Sequence, residues 1–395
     1  MTMTSSSSRI HGLDTLRAIA ILLVFMYHYM VFVSHEASFG SLSQIGWAGV
    51  DLFFVLSGYL IGNQIFSAMQ SDRPFSLKMF YIRRALRTLP NFYAILAIYF
   101  LFPLAVGGNP VTPLWKFLSF TQNVNLRPGS AFSYAWSLCI EEQFYLVLPA
   151  IALLLHRMGK SIKLGWMVLI GLMMIAVLMR SWMWRDVGSD GGLYYTNIYY
   201  SSLCRFDELL PGVAIAMLKN FHPVAWQRTQ AYGQTTLLGG IVLCLSSFYL
   251  FTNYSYVDDQ GFLWFTTAFG YSLLAISFAL LTVSAMSPES WLYQLHIPGA
   301  AKLAVWSYAM YLVHKPLMNV LIKPLNNIGV TVTSAGGISL MFIASLTGGW
   351  LLFTLVETPF MKLRDRFFPT NFVKRADSGN IDELNSMLTK TSHPT

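Results

Sequence analysis

Charge is what this chain has least of. Only 11% of its 395 residues are Asp, Glu, Lys or Arg, against about 25% in a soluble chain. The polar surface needed to wrap a globule is missing, so a water-soluble enzyme is excluded. Cysteine is nearly as scarce: Cys139, Cys204 and Cys244 are the three, all within apolar stretches. None has metal-ligand spacing, which removes a disulfide framework and a zinc site and leaves three small buried hydrophobes. Gly-rich nucleotide loops, a Ser-hydrolase elbow and a metal constellation are also missing. The net charge of +8 is not a nucleic-acid signal, because the basic residues gather on one side of the chain's topology.

What is abundant is apolar length. Hydrophobic residues make up 55% of the chain and the mean hydropathy is +0.51. Runs near the ~20-residue spanning length recur about ten times, near 13–33, 47–69, 89–107, 133–155, 162–182, 200–218, 232–251, 262–285, 303–322 and 335–356. The fourth and sixth are interrupted by ionisable residues. The expected fold is therefore all-α, a polytopic integral membrane bundle of about ten transmembrane helices. With the N-terminus in the cytoplasm, 18 of the 26 Lys and Arg fall on the inner side and six, Lys116, Arg127, Arg180, Arg185, Lys315 and Lys323, on the outer, with Arg17 and Arg205 inside helices. That asymmetry predicts both termini inside. The first run is too long for a cleaved signal peptide and is read as a retained helix. Residues 1–12 form a short cytoplasmic segment whose Met1–Ser8 part is expected to be disordered. Residues 13–357 form the membrane domain, and 358–395 a mobile cytoplasmic tail.

The first run organises the rest. Arg17 and His28 are eleven residues apart, three helical turns plus about 20°, so they share one face about 16 Å apart. Such groups are costly in a bilayer unless the stripe faces a polar cavity. Imidazole titrates near neutrality and suits a general base for a hydroxyl; the plainer role is a hydrogen bond to a neighbouring helix. Arg84 and Arg87 are i, i+3 neighbours whose guanidinium forks match phosphate oxygens. Alone they would read as a cytoplasmic anchor. With Arg17 at the same depth they read as a clamp for a phosphate-bearing donor. One buried polar channel, running from these guanidinium groups to His28, is the expectation.

Adjacent carboxylates, Glu141 and Glu142, interrupt the fourth run. Ser137 and Glu141 share a face, with Glu142 about 100° away. Glu141 could orient His28, pair with a buried arginine, or make a structural ion pair with Arg205. Asp51 is expected to cap the second helix near the outer surface, and Gly49 and Gly58 predict close helix approach. Tyr308, Tyr311 and His314 recur at i, i+3, i+6, with His314 expected near the outer rim. Glu357 closes the last run and is read as a structural partner. The loops near 107–130 and 183–200 are long enough to cap a cavity. The tyrosines of the second, Tyr194, Tyr195, Tyr199 and Tyr200, read as interfacial anchors.

Six stretches in series carry a resemblance: Arg17 with His28, Gly49–Ile61, Arg84 with Arg87, Trp136–Tyr145, Cys204–Gly212 and Ser307–Pro316. Together they are similar to the acyltransferase-3 family of membrane O-acyltransferases, in order from Leu13 to Glu357. The resemblance implies a ten-helix domain without a tightly bound cofactor. Acyl-CoA, typically acetyl-CoA, is the implied co-substrate on the cytosolic side. The implied acceptor is a hydroxyl of an extracytoplasmic or lipid-linked glycan, and the implied location a bacterial inner membrane. His28 and Glu141 take the catalytic roles, and Arg17, Arg84 and Arg87 bind the donor; Ser137, Arg205 and His314 are further candidates. Residues 358–395 are too few for the hydrolase-like domain some relatives carry, so a stand-alone form is expected. The alternative, from the intramembrane ionisable groups alone, is a transporter or flippase of a glycan-related solute.

Overall fold

The computed structural model describes residues 10–71, 75–108, 112–159 and 161–372. Long helices account for most of them: α1 His11–Tyr29, α2 Ala48–Met69, α3 Leu77–Leu101, α4 Trp136–Arg157, α5 Ile162–Trp184, α6 Leu210–Phe221, α7 Gly233–Tyr254, α8 Tyr271–Met286, α9 Ala300–Asn327 and α10 Ala335–Leu352. The described strands are one small antiparallel pair, β1 Tyr256–Val257 and β2 Gly261–Phe262, with Tyr256 opposite Phe262. The protein is an all-α polytopic membrane bundle.

Among the described residues, seven helices are long and apolar enough to span a bilayer. The expected count of about ten differs at three places. α3 and α9 have the length, 25 and 28 residues, but carry basic clusters and internal prolines that lower their apolarity. The run expected at 200–218 is broken into Ser202–Arg205, Phe206–Leu209 and the 12-residue α6. Arg205, Asp207 and Glu208 lie at that break, where their ion pairs hold the chain.

Burial sorts the helices. The apolar windows of α5, α7 and α10 are only 17% buried, whereas that of α8 is 72% buried. The first three show hydrocarbon outward, the surface a bilayer solvates. α1 sits inside, packed on α2, α8 and α9. α7 and α8 form one antiparallel pair and α9 and α10 another.

α2 packs tightly against α6 and the turn that leads into it, and glycine permits it. A Cβ on Gly58 would lie 2.0 Å from the Leu209 carbonyl oxygen, and one on Gly49 would lie 2.3 Å from that of Ala20 in α1. These are the two glycines whose spacing predicted close approach. Backbone cannot yield as a side-chain tip can, so Gly58→Ala is expected to cost about 1–3 kcal/mol. A lowered thermal midpoint in detergent would register it; an unchanged midpoint would show that α2 and α6 can part.

The last helix does not stop at the membrane run. α10 continues through a wide turn at Phe353–Glu357 into Thr358–Phe367, which packs on α3. Ser76 N–H donates to the Asn371 carbonyl at 2.8 Å, and Phe75 bridges to Phe372. The opening part of the expected mobile tail is thus helical and docked, because Arg83 reaches both Asp365 and the Phe368 carbonyl. Residues 373–395, and the segment 1–9, lie outside the described residues.

Candidate active site

Among the described residues, two of the cavities lie toward opposite ends of the bundle. The larger, about 490 Å³, is lined by Arg17 from the first half of α1, Gln64 from the second half of α2, and Arg83, Arg84, Arg87 and Thr88 from the start of α3. Ser137, Glu141, Glu142 and Tyr145 of α4 and Tyr308 and Tyr311 of α9 complete it. The smaller, about 260 Å³, is lined by Tyr27 and His28 at the end of α1, Phe32 just beyond it, Trp47 just before α2 and Val50 in its first turn. Its remaining wall is largely aromatic: Tyr134, Trp136, Tyr195, Tyr199, Tyr200 and Tyr311.

The single expected channel is therefore two chambers. Val50 and Tyr311 line both and form the partition. Tyr311 is held in it by two hydrogen bonds, one shared with Ser137 Oγ at 2.7 Å and one donated to the Tyr134 carbonyl at 2.5 Å. All three guanidinium candidates stand in the first chamber and His28 in the second. The helical periodicity that put Arg17 and His28 on one stripe was right about the face. It could not register the side chains that α2 and α9 insert between them.

The basic chamber is a charge network. Arg84 lays its guanidinium on the Tyr145 ring, 3.2 Å from the centroid, and its Nη2 is 3.7 Å from Glu142 Oε1. Its Nε is buried without a protein partner, an arrangement that leaves a donor for an anion. Arg87 projects into the chamber one turn further along α3. Glu141 accepts from Ser57 Oγ at 3.0 Å and from the Tyr145 hydroxyl at 3.2 Å. Glu357 accepts from Asn91 Nδ2 at 2.7 Å, the structural pairing its position predicted.

Glu141 does not reach His28. The partner of His28 is His314, whose Nε2 lies 2.6 Å from His28 Nδ1. His314 is 1% exposed, so it is an interior residue and not part of a rim. Nearly two turns of α9 present Tyr308, Tyr311 and His314 along one stripe, where Tyr308 donates to the Thr88 carbonyl at 2.8 Å. Lys315, counted by charge as an outer residue, is also buried. Its ammonium sits 3.9 Å from the Phe32 ring centroid and 5.4 Å from that of Tyr134, a desolvated cation on aromatic faces.

The remaining buried charges support this frame. Arg205 pairs with Asp51 Oδ1 at 2.9 Å and with Glu208, stacked 3.9 Å over Tyr271. It does not pair with Glu141; it backs the wall of the second chamber, donating to the Tyr199 carbonyl at 3.3 Å and lying 4.7 Å from the Tyr199 ring centroid and 5.1 Å from that of Trp136. Asp51 is fully buried as its counter-ion and does not cap α2 at the surface. Arg180, which falls at the end of an apolar run and was counted as outer, is likewise buried, in a two-pronged bond to Asp207 at 2.7 and 3.0 Å. Stranding one partner of such pairs costs about 3–5 kcal/mol, so they serve as cross-links among α2, α5 and the broken helix. The tyrosine-rich loop packs over them: Tyr194, Tyr199 and Tyr200 are buried and not bilayer-edge anchors. That loop and the one near 107–130 are tied together by Asn123 Nδ2, which donates to the Tyr200 carbonyl at 2.9 Å and to Ser202 Oγ at 2.8 Å. Pro128, Gly129, Tyr195 and Tyr199 thereby roof the second chamber.

A helical membrane protein with a basic chamber backed onto an imidazole chamber is a frame for group transfer. The chain belongs to the acyltransferase-3 family, whose acyltransferase-domain model matches residues 10–354. Its relatives include the peptidoglycan O-acetyltransferase OatA of Listeria monocytogenes, 28% identical over 92% of this chain and 58% of that protein. A putative O-acetyltransferase of Staphylococcus aureus (strain COL) is 28% identical over 77% of this chain and 50% of its own length. A putative peptidoglycan O-acetyltransferase, YrhL of Bacillus subtilis, is 27% identical over 81% and 50%. The chain spans about half the length of these relatives. No solved structure matches it.

Proposed function

We propose that this protein is a membrane O-acyltransferase that moves an acyl group, acetyl by preference, from acyl-CoA to a hydroxyl of a glycan. The observation that carries the reading is the back-to-back pair of chambers sharing Val50 and Tyr311. The donor's phosphates would bind Arg17, Arg84 and Arg87, with the orphaned Arg84 Nε supplying one hydrogen bond. Its long, weakly polar pantetheine arm would lie along the apolar lining, Phe53, Phe54 and Leu138, and bring the thioester to the partition. The acceptor would enter the aromatic chamber, where ring faces of Trp136, Tyr195 and Tyr199 can stack on sugar C–H groups and His28 meets the hydroxyl. The basic chamber faces the cytosol, as the positive charge asymmetry favours, in a bacterial plasma membrane. The printed names of the relatives make peptidoglycan sugars the acceptor to try first.

The donor assignment has a direct test. Protein reconstituted in liposomes is given radiolabelled acetyl-CoA and a muropeptide acceptor, and label transfer is followed. Arg87→Ala is expected to raise the KM for acetyl-CoA about 10-fold or more, the worth of a charge-assisted bond to phosphate, with kcat much less affected. An unchanged KM would remove the arginine cluster from donor binding.

A further inference from the structure

The contact between His28 and His314 determines where a proton sits. The Nδ1 of His314 lies 3.0 Å from the carbonyl oxygen of Met310, one turn back along α9. A carbonyl oxygen only accepts, so this Nδ1 carries a hydrogen. In the neutral ring Nε2 is then a bare acceptor, and Nε2 is the atom that meets His28 Nδ1 at 2.6 Å. The two rings are within 7° of parallel with centroids 4.9 Å apart, the spacing of an in-plane N–H···N bond. The hydrogen between them therefore belongs to His28 Nδ1. His28 Nε2 is left with its lone pair, in a ring that lines the aromatic chamber.

A doubly protonated His314 would reverse this assignment, and its surroundings oppose it. The next residue is the buried cation Lys315. The groups facing the pair from α1 and the turn after it, from the segment before α4 and from α9 are neutral aromatics, Tyr27, Phe32, Tyr134 and Tyr311. None of the ion pairs among the described residues involves His28, His314 or Lys315.

We propose that His314 is the positioning residue that holds His28 in its Nδ1–H tautomer, and that His28 Nε2 is the atom that takes the acceptor's proton. The inference rests on the transferase reading for its chemistry and on the hydrogen-bond geometry for the tautomer. In the forward step the acceptor O–H proton passes to His28 Nε2. The freed oxygen bonds to the thioester carbonyl carbon, the C–S bond breaks, and His28 Nε2 passes that proton to the departing thiolate, which leaves as a thiol. Nδ1–H stays on His314 throughout, and becomes a charge-assisted donor while His28 is an imidazolium.

Two variants and one spectrum test it. His314→Phe keeps a ring of similar size and removes the acceptor. His314→Gln offers a side-chain oxygen near where Nε2 stood. The phenylalanine variant is expected to lose about 10²–10⁴-fold in kcat, the scale of a misdirected or missing base, with KM for acetyl-CoA unchanged. Glutamine should restore most of that loss. ¹⁵N-histidine spectra of the wild type in lipid nanodiscs, with the His28 signals identified by their loss in His28→Ala, should show Nε2 unprotonated, and His314→Phe should release that preference. An Nε2–H tautomer in the wild type, or full kcat in His314→Phe, would overturn the proposal. The spectrum is read without substrate, so a protein that transfers no acyl group could still display the tautomer, and the two readings fail separately.

Discussion

His28→Ala is expected to lower acyl transfer by about 10²–10⁴-fold, the usual contribution of a positioned general base. The variant should keep its affinity for acyl-CoA, because the guanidinium groups proposed to bind the donor stand in the other chamber, beyond Val50 and Tyr311. That split is what makes the result diagnostic. A loss of folding would remove both properties together, whereas loss of the base alone removes one. His28 is 8% exposed, and its removal leaves His314 Nε2 without its donor, a penalty of about 1–3 kcal/mol. The thermal midpoint should therefore fall modestly, and is measured beside the rate. Glycan product formed at the parental rate would take His28 out of the mechanism.

The second large effect concerns the partition. Val50→Trp should abolish transfer while leaving acyl-CoA binding intact, since an indole at a residue shared by both chambers would block the passage between them. Val50 is 6% exposed, so the larger ring also risks about 1–3 kcal/mol of overpacking. The opposite change is informative even if that variant folds poorly. Val50→Ala widens the gap and should move donor preference from acetyl toward propionyl and butyryl. Each methylene accommodated is worth about 10–200-fold in kcat/KM. Competition between acetyl-CoA and butyryl-CoA, read by mass of the product glycan, measures the shift. If Val50→Trp transfers normally, the thioester does not cross between Val50 and Tyr311, and the two chambers serve separate purposes.

Some of this frame was legible in residue order. Gly49 and Gly58 announced close helix contacts because a missing Cβ is visible in a sequence. The loops near 107–130 and 183–200 were long enough to roof a cavity, and they do. Pairings between distant charges were not legible. Asp51 finds Arg205 across 154 residues, and His28 finds His314 across 286. Lys315 beside His314, and Tyr145 four residues after Glu141, are the local signals of these contacts that residue order does carry. Counting charge by loop put Arg180 and Lys315 outside, since a basic residue at the end of an apolar run looks the same whether it faces water or a buried acid.

Composition and periodicity were sufficient for the class of molecule, because a chain this poor in charge belongs in lipid, and apolar runs near 20 residues satisfy their backbone there by forming helices. They also sufficed to bring Arg17 and His28 to one face of α1, since the helical repeat is local. Which histidine meets which, and that two chambers replace one channel, depended on how α2, α4 and α9 pack around that face. Those contacts join residues hundreds of positions apart, and no local periodicity encodes them.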